Sequence, residues 1–212
     1  MKFVHTADWQ IGMMAKGYGR AGERLRKERL SSGERVVAAA AEHGVDFILV
    51  AGDLFEDNGV DRALVQKTAD VLARFQRPVF IIPGNHDPLV PGSVWEHPVW
   101  RSARNIRLLV APEAVEIPGG ILYPCPVKEK YDRKDPTAWI QASGTEVLTI
   151  GLAHGNLEGL PGSEPELPIP RDAVKRSGLN YLALGHWHST GIYYEENGAI
   201  ACAYCGTPEA TG

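Results

Sequence analysis

Short apolar runs in this chain repeatedly end in a residue able to bind metal, and that order constrains the fold more than any other feature. Residues 2–7 read as a strand running into Asp8, and residues 45–51, apolar apart from Asp46, run into Gly52-Asp53. Residues 78–82 run into Pro83-Gly84 and then Asn85-His86-Asp87. His154 ends a run that starts at Glu146, and His186-Trp187-His188 closes one that starts at Tyr181. Between the first three runs lie stretches of helical period. Residues 23–43 carry an Ala-rich end with Gly44 as a stop. Across residues 61–75, Leu64, Thr68, Val71, Leu72 and Phe75 share one face. A βαβαβ order argues for parallel strands. In open α/β sheets ligands bind at the carboxyl ends of the strands, so the polar segments are expected to meet on one rim.

The second half reads differently. Residues 106–110, 114–117 and 121–123 suggest short strands of an antiparallel or mixed sheet. Asp135-Pro136 has the order of a helix start, expected to run to about Ala142. Further strands are expected at 146–153, 181–185, 192–194 and 199–203. The loop from His154 to Pro170 holds Pro161, Pro165, Pro168 and Pro170, and a loop so long is more often functional than idle.

Composition bounds the alternatives. The chain has 212 residues, 44% hydrophobic and 23% charged, which is globular rather than disordered or fibrous. A net charge of −4 argues against a broad basic surface for duplex DNA. No apolar run approaches the ~20 residues of a membrane span, and with polar Thr6 and Asp8 following at once residues 1–5 are not expected to open a signal h-region. Cys125, Cys202 and Cys205 are too few for a disulfide scaffold, so a cytoplasmic location is expected. Cys202-Ala203-Tyr204-Cys205 has C-x-x-C spacing but lies in an apolar strand, which favours buried structural thiols.

Asp, Asn and His supply hard oxygen and borderline nitrogen donors without a thiolate, a set suited to Mn²⁺, Fe²⁺ or Zn²⁺. A lone His at a strand end is usually a hydrogen-bonded rim residue. Five such signals in order are another matter. Asp8-Trp9-Gln10, Gly52-Asp53, Gly84-Asn85-His86-Asp87, His154-Gly155 and Gly185-His186-Trp187-His188 resemble the signatures of the calcineurin-like metallophosphoesterases. His5-Thr6-Ala7-Asp8-Trp9, Gly52-Asp53-Leu54-Phe55, Ile169-Pro170 and residues 182–188 resemble its SbcD-type DNA repair exonuclease branch.

The resemblance implies a four-layer sandwich, two mixed β-sheets face to face with helices outside. It implies two divalent metal ions, Mn²⁺ foremost with Fe²⁺ or Zn²⁺ as alternatives. Asp53 would bridge them, Asp8 and His188 would complete the first site, and Asn85, His154 and His186 the second. His86 would touch the scissile phosphate, orienting it or assisting the leaving oxygen. The first signature normally reads Asp-x-His, and here Gln10 takes the histidine's place. Either its amide oxygen coordinates as a weaker neutral donor or it turns away and water fills the position. A first site weaker or more selective for hard metals is expected in both cases, and replacement by His5 carries little weight.

The implied activity is a DNA exo- or endonuclease in repair, working as a homodimer with an SbcC-type ATPase. A phosphodiesterase or phosphatase on a small phosphoester is the alternative, and a catalytically weak DNA-binding scaffold subunit a third reading. Residues 1–212 would form one nuclease domain of a longer chain, without the capping and ATPase-docking segments. The basic run from Lys16 to Arg35 reads as a solvated helix face, with phosphate steering as its other use. Met13 and Met14 are expected to pack rather than touch substrate. Trp95 and Trp100 are expected in a core or interface, or less readily as a base-stacking surface.

Overall fold

The first apolar runs form strands, and the stretches between them form helices. β1 (Phe3–Thr6), α1 (Arg20–Glu42), β2 (Phe47–Ala51), α2 (Arg62–Ala73) and β3 (Val79–Ile82) follow in that order. Asp61 caps α2 by accepting the Ala63 N–H at 2.7 Å. This computed structural model describes residues 1–13, 20–142, 144, 146–160, 165–195 and 198–209, with backbone alone at 20, 21, 23, 25 and 26. Met14, Lys16 and Pro161, with the side chains of Arg20, Glu23 and Arg26, lie outside the described residues.

α3 (Val99–Ser102) leads into β4 (Ile106–Leu108), and the first sheet has the order β1-β2-β3-β4, parallel throughout. Residues 106–110 are expected with 114–117 and 121–123 in an antiparallel or mixed sheet of the second half. Instead β4 pairs in parallel with β3, Ile81 opposite Leu108. The turns over residues 94–102 bury Val94, Trp95, Val99 and Trp100 on the helical face of this sheet, which brings the chain back for a parallel return.

β5 (Val115–Ile117), β6 (Gly120–Cys125) and β7 (Leu148–His154) begin the second sheet. β8 (Asn156–Leu157) and β9 (Pro168–Ile169) pair with each other within the proline-rich loop, and α4 (Ala173–Ser177) follows. β10 (Tyr181–Gly185), β11 (Gly191–Tyr194) and β12 (Ile200–Tyr204) complete the sheet in the order β11-β12-β10-β7-β6-β5. Its centre is parallel and both outer pairs are antiparallel.

Residue alternation builds the layers. On β2, Ile48 and Val50 face the helices with Val37, Ala40, Val65, Ala69 and Leu72. Phe47, Leu49 and Ala51 face the other way and meet Leu122, Ile150, Leu152 and Ala183 of the second sheet. On β10, Leu182 and Leu184 point outward to Ala173, Val174 and Leu179 around α4. Two sheets lie face to face with helical segments on each outer side. Each fully buried Leu, Ile or Phe in these cores contributes about 1.5–3 kcal/mol relative to exposure. Among the described residues no helix is long and apolar enough to cross a membrane.

The helix expected over residues 135–142 is a turn. Asp135 does accept the Thr137 N–H and hydroxyl as a cap would, at 2.8 and 2.6 Å. Past that turn Ala142 N donates to Ser177 O at 2.7 Å, and Ile140 and Ala142 are buried in the outer core. Those tertiary partners extend the chain where local preference would coil it.

Candidate metal centre and active site

Parallel pairing of β1 and β2 continues past their ends and carries the first two signatures together. Asp8 N donates to Gly52 O at 3.1 Å, Gln10 N to Asp53 O at 3.0 Å and Ile11 N to Leu54 O at 3.0 Å. Asp8, Gln10 and Asp53 have φ of 55, 46 and 50°, and His186 has φ 109°. Each such backbone in a non-glycine residue costs on the order of 1–3 kcal/mol, and such residues cluster at functional sites.

The floor of the site is Asp8, Asp53 and His154, whose ligand atoms all lie within 4.8 Å of one another. All three are buried. His154 Nδ1 donates to Ala51 O at 2.8 Å, which turns Nε2 toward the site. Nε2 lies 3.4 Å from Asp53 Oδ2 and 2.7 Å from Asn85 Oδ1. Asn85 Oδ1 is also 3.0 Å from His186 Nδ1. The His186 N–H meets both Asp8 carboxylate oxygens, at 3.1 and 3.0 Å. Above the floor the His86 N–H donates to Asp53 Oδ1 at 2.9 Å, and its Nδ1 to Glu56 O at 3.0 Å. His188 is exposed and meets Gln10 Nε2 at 3.2 Å. Residues from all five signatures thus stand at one rim. His5 does not join them: its Nδ1 pairs with the Tyr181 hydroxyl at 3.2 Å.

Burial pushes Asp8 up to about 7, although the His154 charge pulls it down. Burial also raises Asp53, but His154 and His86 outweigh it and hold that carboxyl low. For His154 burial opposes the charge, yet Asp53 and Asp8 prevail and raise it to about 9. Burial and the His154 charge drive His186 down to about 3, and burial lowers His188. Two buried carboxyl groups therefore face one histidine held toward its charged form and two held toward their neutral forms. This donor set fits divalent cations. Gln10 Oε1 adds to the fit, being buried without a hydrogen-bond partner among the described residues.

Sequence reasoning passed over several residues that hold the site in shape. Asp87 accepts Phe55 N at 2.9 Å and Gly84 N at 2.7 Å, tying the second signature to the third. Arg29, buried on α1, donates to Trp9 O at 3.0 Å behind Asp8 and Gln10. Glu56 contributes the carbonyl that orients His86. The signal for Asp87 was its place inside a signature. Arg29 had none, sitting in a charge run whose Arg35 pairs with Glu28 at 2.7 Å on the surface. Gly185 is required by close approach, since a Cβ there would run into Ala51 O, Ala7 and His154.

Trp95 and Trp100 are buried, and their indole N–H groups donate to Asp87 O and Val94 O. They are packing residues, not a stacking surface. Cys125 and Cys202 are buried free thiols, with burial raising Cys125 to about 12 and Cys202 to about 11.

The chain is 29% identical over 214 residues to the Bacillus subtilis (strain 168) protein named uncharacterized metallophosphoesterase YhaO, covering 94% of this chain and 52% of that protein. It thus spans about half the length of that curated relative. A Thermus thermophilus structure, TT1561, superposes with a TM-score of 0.60 at 15% identity, covering 97% of this chain and 89% of the other. A dimetal phosphatase from Danio rerio gives 0.60 at 12% identity, over 98% and 88%. Both show the same fold. The family model for calcineurin-like phosphoesterases matches residues 1–190, and the chain belongs to that family.

Proposed function

We propose that this metal-dependent phosphoester hydrolase cleaves phosphodiester bonds in DNA, as an exo- or endonuclease. The observation that carries the reading is a buried floor beneath an open rim. Asp8, Asp53 and His154 are buried, while Asn85, His86 and His186 are half-buried and His188 is exposed. Such a rim admits a backbone phosphate on a polymer, and the sequence around the signatures resembles the SbcD-type branch. The same reading makes DNA repair its setting, with a homodimer and an SbcC-type ATPase as partners.

Asp8, Asp53 and His188 would hold one ion, and Asp53, Asn85, His154 and His186 the other. Bound there, the pair supplies Lewis-acid activation of water and offsets phosphate charge. The protein's own groups do the rest. Asp53 positions His86 through its backbone N–H, and the Glu56 carbonyl holds Nδ1. Nε2 of His86 is then the nitrogen that meets the phosphate, orienting it or, when the ring carries protons on both nitrogens, giving one to the leaving oxygen, work worth typically ~10²–10⁴-fold. The His154 ring is fixed by Ala51 O, which keeps Nε2 aimed at the floor of the site.

A small phosphodiester would use the same groups, so one experiment compares the two. The chain with added Mn²⁺ is given labelled single- and double-stranded DNA, and in parallel bis-p-nitrophenyl phosphate. Cleavage of DNA, with both activities falling in His86→Asn, is the expected result. Hydrolysis of the small diester with intact DNA would overturn the nuclease reading, and the absence of both activities from the wild-type chain would overturn the hydrolase reading with it.

A further inference from the structure

Gln10 is the site residue whose donor differs from the imidazole that the family resemblance puts at its position. Its backbone is pinned at φ 46°, with its N–H on Asp53 O at 3.0 Å and its carbonyl accepting Met13 N at 3.2 Å. The side chain is 3% exposed and does not turn away. Nε2 stands 3.2 Å from His188 Nε2, which brings the carboxamide, with its oxygen Oε1, against that imidazole. That oxygen is buried and meets no donor among the described residues. A buried acceptor without a donor is disfavoured. Gln10 is two residues from Asp8 and its backbone is paired with that of Asp53, so the partner that satisfies this oxygen is a cation.

We propose that Gln10 Oε1 is a ligand of the ion held by Asp8, Asp53 and His188. There it biases that position toward Mn²⁺ or Mg²⁺ and against Zn²⁺. This rests on the metal-dependent reading above. A carboxamide oxygen is a hard neutral donor of the kind Mg²⁺ and Mn²⁺ accept, whereas imidazole nitrogen suits Zn²⁺. With Gln10 in place, the two ion positions differ in softness. The Asp8 side is built of oxygens and one histidine, and the other side holds His154 and His186.

The test measures binding rather than turnover. Wild-type chain, Gln10→His and Gln10→Glu are titrated calorimetrically with Mn²⁺ and with Zn²⁺, and the Mn²⁺-loaded forms are read by pulsed EPR for coupled nitrogens. Wild type is expected to bind two ions. Gln10→His should raise the Zn²⁺-to-Mn²⁺ affinity ratio of one ion by at least ~10-fold and add a nitrogen coupling. Gln10→Glu, of the same size, should tighten Mn²⁺ at one ion only. A shift in either variant confined to one ion supports the assignment. Two bound ions with wild-type ratios and unchanged couplings in both variants would overturn it while leaving the hydrolase reading intact. Failure of wild type to bind a pair of ions would overturn that reading, and this assignment with it.

Discussion

At the residue scale the site sets protons against metal. His154 is held at about 9 and Asp8 at about 7, so near neutral pH the first carries a proton and the second is half-protonated. A cation entering there must displace those protons, while His186, down at about 3, is already free of one. Metal affinity should therefore rise with pH across roughly 6 to 9 and fall in acid. Mn²⁺ titration in buffers of differing ionisation enthalpy should show net proton release at pH 7; no release would refute the assignment of His154 as the protonated floor residue. Asp87 offers a second prediction. It satisfies the buried N–H groups of Phe55 and Gly84, and Asp87→Ala leaves both without their acceptor. The expected loss is about 2–6 kcal/mol in urea unfolding, at ~1–3 for each unsatisfied group. Metal affinity should weaken too, because these loops carry Asp53 and Asn85.

Elements explain what the sequence could and could not reveal. Strand-end positions of Asp8, Asp53, His154 and His186 were legible because an apolar run stops where the next residue meets the rim. The parallel return of β4 was not, since its three residues look like any short apolar strand. Nor was the turn at Asp135, whose cap chemistry is real but yields to the Ala142–Ser177 hydrogen bond. The five-residue α4 and the two-residue pair β8–β9 are too short to show a period. Helix α1 supplies a prediction of opposite sign to helix propensity. Gly33→Ala in a helix interior would ordinarily stabilise by ~0.5–1 kcal/mol. Here the added methyl runs into the ring of Trp9, whose Nε1 is tied to Thr6 Oγ1 at 2.8 Å. Overpacking of ~1–3 kcal/mol should win, so the variant should unfold at lower denaturant. Trp9 lies between Asp8 and Gln10, and the displaced ring should weaken Mn²⁺ binding as well. A stabilised Gly33→Ala protein would show that α1 moves freely over this loop.

Across the whole molecule, the two sheets share one site. Asp8, Asp53, Asn85 and His86 follow strands of the first sheet, and His154, His186 and His188 follow strands of the second. The apolar layer of Phe47, Leu49, Phe80, Leu122 and Leu152 keeps those groups in register. Ions bound by donors from both sheets would act as a clasp across that layer, binding the folded chain and not the unfolded one. At free Mn²⁺ 100-fold above Kd the linkage amounts to about 2.7 kcal/mol for each ion. For a chain of this size that raises the unfolding midpoint by about 2–4 °C per kcal/mol. Because the clasp joins both sheets, hydrogen exchange should slow together in β1, β2, β7 and β10 when Mn²⁺ is added. Protection confined to one sheet would mean that the ions are held by that sheet alone, and the shared centre would have to be redrawn.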